Sequence, residues 1–163
     1  MTSSPPPAHP GVIAPPPLLL LTAVAAGFLL DGLVPLGLLA PVPALPRWIV
    51  GGVLIVLALA INVQGFFGFQ RRGTPVIPYK SAIALVTDGV FAHVRNPMYL
   101  GMIALPIGLG VALAGDWLVI CGLLLWLVLH YGVVRREERY LEAVFGEDYR
   151  AYKARVPPYG WRF

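Results

Sequence analysis

The chain has 163 residues, of which 58% are hydrophobic and 12% charged, and 12 Lys and Arg against 8 Asp and Glu leave a net charge of +4. That is about one domain with roughly half the charge of an average soluble protein, which excludes a large soluble catalytic domain and indicates a membrane protein. The basic residues flank apolar runs, so no nucleic-acid partner is expected; Cys121 is alone and His9, His93 and His130 are scattered, so neither a disulfide framework nor a metal site is expected.

Residues 1–17 carry seven prolines with almost no charge, the composition of an extended, disordered tail outside a single membrane domain over 18–163. No basic segment precedes the first apolar run, which is therefore expected to stay in the protein. The first span covers 18–40, long enough for about 30 Å of hydrocarbon, with Asp31 inside it and Pro35 as a break. Arg47 and Trp48 anchor the second span, 48–69, whose Asn62 and Gln64 either join helices or line a cavity. Residues 74–95 are too long for an idle turn and are expected to fold against the membrane face.

The third span, 97–114, begins at Asn96-Pro97, a helix-start signal with Asn96 as N-cap and Pro97 at the first helical position, and contains Pro106 as a kink. A tight turn at 115–117 leads to the fourth span, 117–134, which makes a helical hairpin with the third. In 135–155, Tyr140, Leu141, Val144, Phe145, Tyr149 and Tyr152 recur at helical spacing among charges, the pattern of an amphipathic surface helix, or of two helices broken at Gly146. The fold class is thus an all-α integral membrane bundle of about four transmembrane helices with a cytoplasmic loop and a C-terminal amphipathic helix. Basic residues concentrate between spans two and three and after span four, so both regions and both termini are expected in the cytoplasm.

That topology places Arg95-Asn96-Pro97 and Glu137-Glu138 on one side of the membrane. Two readings of the Glu pair stand open. It is either a solvated helix face or, because His130, Val134, Glu137 and Leu141 share one helical stripe, part of a polar pocket. His130 is likewise either a packed interior side chain or a base.

The pattern G-V-F-x-x-x-R-N-P-M-Y-x-G from Gly89 to Gly101, followed by E-E-x-x-L-x-x-x-F-G-x-x-Y-x-x-Y-x-x-x-V-P from Glu137 to Pro157, resembles the isoprenylcysteine carboxyl methyltransferase and phospholipid methyltransferase superfamily. The resemblance covers 74–157. It implies S-adenosylmethionine as cofactor, walled by Ala84, Leu85, Val86 and Phe91, contacted by Asn96, Pro97, Met98 and Tyr99, and held at its amino or ribose end by Glu137. Many members have His in place of Asn96, and eukaryotic carboxyl methyltransferases carry a substrate-binding Arg where this chain has Val133.

Methyl transfer from a sulfonium asks the protein chiefly for proximity and a site tolerant of a cation. Arg95 is available for an anionic acceptor or the cofactor carboxylate, and His130 as the base for an acceptor that must lose a proton. The expected protein is a bacterial inner-membrane methyltransferase acting on a lipophilic small molecule or lipid. The alternatives are a phospholipid amine N-methyltransferase and a non-catalytic subunit that binds a lipid or partner.

Overall fold

In the computed structural model residues 9–73 and 84–160 are described, and all the regular structure among them is helical. The helices are α1 (Pro16–Leu33), α2 (Ala44–Arg71), α3 (Pro97–Leu113), α4 (Asp116–Leu129) and α5 (Arg135–Arg155). A 3-10 turn, Gly89–Ala92, precedes α3, and a π turn, His130–Val134, joins α4 to α5. Helices α1 and α2 and the continuous path Asp116–Arg155 are long and apolar enough to cross a membrane; α3 is a shorter apolar helix. The apolar part of the long path ends at Val134, and the charged α5 continues from it.

The first span is shorter than its apolar run. Pro35 has no N–H to give to the carbonyl of Asp31 and disfavours helical geometry in the residue before it, so Val34 turns out of the helix at φ −140° and ψ 66°. The expected tail over 1–17 is also shorter: Pro16 and Pro17 sit in the first turn of α1, where a missing N–H costs nothing, and residues 9–15 lie against the bundle. Residues 1–8, and the part of the long loop at 74–83, lie outside the described residues.

The helices pack in the spatial order α2, α3, α4, α1, each antiparallel to its neighbour. Close approach of α2 and α3 requires residues without a Cβ: one built on Gly51 would lie 2.6 Å from the Ala112 nitrogen, and one on Gly101 would run into the Asn62 amide. Asn62 itself bonds back to the Ala58 carbonyl at 2.8 Å, so it belongs to this helix contact. The large exposed side chains of α1 and α2, among them Leu21, Phe28, Leu29, Val53 and Val56, form the outward apolar surface that lipid would cover.

Two aspartates close the end of the bundle opposite α5. Asp31 accepts the Trp117 and Leu118 backbone N–H groups at 2.9 and 3.3 Å, satisfying the first amides of α4 from another helix. Asp116 in turn accepts the Leu38 and Leu39 amides at 2.8 and 3.0 Å, and the Trp117 indole donates to the Val34 carbonyl at the end of α1. The polar residue in span one is therefore a long-range helix cap at the membrane edge. At the opposite end lie the start of α1, the ends of α2 and α4, the start of α3 and all of α5.

Candidate functional site

Pro97 opens α3 as the sequence indicates, but the Asn96 side chain makes no cap hydrogen bond. Its amide donates to the Pro158 carbonyl at 3.3 Å, and the Arg95 and Asn96 backbone N–H groups donate to Pro157 and Pro158 at 3.0 and 3.1 Å. The segment after α5 thus lies beside 95–96 and satisfies backbone donors that a loop entering a membrane helix would otherwise leave open. It also carries Tyr159 into the core, where the residue is 1% exposed.

Adjacent residues on a helix point roughly 100° apart, so Glu137 and Glu138 can serve different partners. The Tyr99 hydroxyl donates to Glu137 Oε1 at 2.7 Å, linking the start of α3 to the start of α5. The Arg95 guanidinium meets Glu138 Oε1 at 2.7 Å and reaches the Tyr149 hydroxyl at 3.4 Å. Lys153 completes the network, 3.1 Å from Glu138 and 2.7 Å from Glu142. The side chains of Arg95 and Glu138 are 7% and 15% exposed, and Arg95 Nε is buried without a hydrogen bond. Desolvation by the surrounding protein pushes the Glu137 carboxyl up to about 7, with the Tyr99 hydrogen bond opposing and the neighbouring Glu138 charge adding to the rise. Burial likewise pushes the Tyr149, Tyr152 and Tyr159 hydroxyls up, so they remain protonated.

The other expected site residues divide among three surroundings. His130 lies in the π turn with its ring nitrogen Nδ1 3.3 Å from the Tyr159 hydroxyl, flanked by Trp126 and Tyr131. The stripe joining His130 to Glu137 assumed an unbroken 3.6-residue period, and the π turn offsets the two. Phe91 is buried against Phe69 and Gly68 of α2, near Val86, while Tyr152 donates to its carbonyl at 2.7 Å. Pro97 and Met98 face Gly65 of α2, and Leu85 packs on the Tyr149, Tyr152 and Val156 cluster of α5. Ala84, beside Leu85, is half-buried.

Val133 is fully buried in a cluster with Val12, Leu129, Val134 and Tyr159. It does not wall an accessible pocket, so an Arg there would enter the packed core. A separate cleft of about 200 Å³ lies between the last turns of α2 and the 3-10 turn, lined by Gln64, Phe67, Arg71, Asp88, Val90 and Phe91 among others.

Lys153, Tyr149 and Tyr159 were not singled out as site residues by sequence, and Glu138 entered only as half of the Glu pair. Tyr149 reads as part of an apolar helix face, and Tyr159 lies beyond that helix with no pattern to mark it.

A helical membrane bundle with a buried acid and base network joining a loop, a short apolar helix and a polar continuation of the last span defines the class. The chain belongs to the phospholipid methyltransferase family, whose sequence model matches residues 46–148. It is also similar to the Protein-S-isoprenylcysteine O-methyltransferase of Schizosaccharomyces pombe (strain 972 / ATCC 24843), 36% identical over 75 residues, which are 45% of this chain and 31% of the relative. The matched stretch thus spans about a third of that relative. No solved structure matches the chain.

Proposed function

We propose that the protein transfers a methyl group from S-adenosylmethionine to a lipophilic acceptor at the cytoplasmic end of the bundle. The observation that carries this reading is the Tyr99–Glu137 hydrogen bond, which joins the two separated motifs at the membrane edge of a chain of this family. The residues fit the cofactor's chemistry. Glu137 offers a carboxylate oxygen, Oε2, with no hydrogen bond among the described residues, to a group bearing an ammonium and a sulfonium. When bound, the cofactor supplies the methyl group and a neutral thioether leaving group.

This chain's own residues then have distinct parts. Glu137 holds the cationic end, Tyr99 orients Glu137, and Leu85 and Phe91 furnish apolar wall near the network. Arg95, already committed to Glu138, positions the loop against α5 and does not serve as a free anion receptor. His130, whose Nδ1 is engaged by the Tyr159 hydroxyl, is the candidate base for an amine or thiol acceptor. The apolar outward faces of α1 and α2 suit an acceptor that approaches through the bilayer.

Calorimetry on detergent-purified protein should detect S-adenosylmethionine binding, and labelled cofactor should pass its methyl group to at least one of phosphatidylethanolamine, N-acetyl-S-farnesylcysteine and long-chain amines or thiols. No binding and no transfer to any of them would remove the enzymatic reading in favour of a lipid- or partner-binding subunit. Reporter fusions after Arg72 and at Phe163 should give a cytoplasmic signal and one at Asp116 the opposite, by the distribution of basic residues. A cytoplasmic signal at Asp116 would put the acid and base network on the wrong face.

A further inference from the structure

We infer that the segment Gly11–Ile13 is a strap that holds the π turn in register and so positions the two carboxylates of α5; the functional part of this inference rests on the proposed reading of Glu137. Four observations converge on it. Val12 is 8% exposed and belongs to the same core cluster as Leu129, Val133 and Val134, the residues that form and precede the π turn. The Ile13 backbone N–H donates to the Gly132 carbonyl, in the middle of that turn, at 3.3 Å. Gly132 leaves room for the Ile13 side chain, because a Cβ there would lie 2.8 Å from Ile13 Cγ1. Arg136, one residue before Glu137, donates to the Gly11 carbonyl at 2.8 Å.

A π turn holds about one more residue than an α-helical turn, is rare, and occurs frequently at functional sites. Collapse of His130–Val134 to ordinary α-helix would rotate everything beyond it by roughly 100° about the helix axis. Glu137 and Glu138 would then leave Tyr99 and Arg95. The strap opposes that change at three levels: it takes up a π-turn carbonyl, wedges an apolar side chain into the core behind the turn, and accepts a hydrogen bond from the first turn of α5. Val12, Ile13 and Arg136 are thus positioning residues that act through Glu137.

The test uses the full-length chain with Cys121→Ala, Gln70→Cys and Ala151→Cys, placing nitroxide labels on exposed positions of α2 and α5. Val12→Asp expels the strap from the core, whereas Arg136→Gln removes one hydrogen bond and is the milder variant should the first not fold. In either, the distance distribution between the labels should shift or broaden by roughly 5 Å, the scale of a helix radius, and S-adenosylmethionine affinity should fall at least tenfold. Leu21→Ala, on the exposed outward face of α1, should leave both unchanged. A distribution identical to that of the parent in both disruptive variants overturns the inference; a shifted distribution with unchanged affinity overturns its functional part, the role of the strap through Glu137. If the parent itself binds no S-adenosylmethionine but the distances shift, the strap stands and the proposed function falls.

Discussion

Replacing Glu138 with Ala should be among the most damaging single changes in the polar end of the protein, costing about 3–5 kcal/mol, the range for removing one partner of a buried ion pair. The reason is asymmetric. Arg95 has its side chain 7% exposed, and Glu138 is its one carboxylate partner among the described residues, so without it a guanidinium stays buried with the Tyr149 hydroxyl at 3.4 Å as its remaining side-chain hydrogen bond among those residues. Glu138, by contrast, also faces Lys153 at 3.1 Å, so Arg95→Met leaves its charge compensated and should cost distinctly less. The double change Arg95→Met with Glu138→Leu should recover most of the stability, since a packed apolar pair can replace a buried ion pair. Unfolding of the three variants in mixed detergent and denaturant measures the order. Equal losses for Glu138→Ala and Arg95→Met would show that Arg95 has water or another partner to fall back on.

The helices, and the meeting of the two motifs at one end of the bundle, are legible in the sequence because they rest on local quantities. An apolar run of about 20 residues, a proline at a helix start and a cluster of cations each leave a mark within a short window. Of the two readings of 135–155, the structure favours the break at Gly146, whose backbone lies at φ 55° and ψ −123°, outside the helical region. Partners distant in sequence left no such mark. Asp31 reads as a costly charge within a span until the α4 amides, 86 residues away, are set against it. The strap is hidden because Val12 looks like one apolar residue in a proline-rich tail.

The π turn was unreadable for a deeper reason. His130-Tyr131-Gly132-Val133-Val134 has no composition that distinguishes it from α-helix, and every facing argument drawn across it is displaced by one residue. That is why the stripe from His130 to Glu137, drawn at an unbroken helical period, does not carry across the turn. Glu138 was undervalued on similar grounds. A neighbour on a helix does point elsewhere, but here the elsewhere is Arg95.

Glu137 should make stability and cofactor affinity run in opposite directions across neutral pH. Its carboxyl is raised from the ordinary 4.5 to about 7, chiefly by desolvation, so between those values the folded protein holds a proton that the unfolded chain has released. The resulting contribution to stability is full below about 4.5 and is lost as pH rises through 7. A cationic cofactor prefers the ionised carboxylate, so affinity should instead rise through 7 and then level. Glu137→Gln removes the titration, flattening that component of both profiles. At pH 8 the substitution should weaken S-adenosylmethionine binding by about ten- to a hundredfold, corresponding to the ~1.5–3 kcal/mol of a hydrogen bond to a charged group, and at pH 6 by much less. Thermal denaturation and calorimetry at pH 6, 7 and 8 on the parent and the Gln variant give both profiles. Affinity that is independent of pH in the parent, or equal in the two proteins at pH 8, would mean that the ionised Glu137 does not hold the cation and that its bond to Tyr99 serves only to dock α5 on α3.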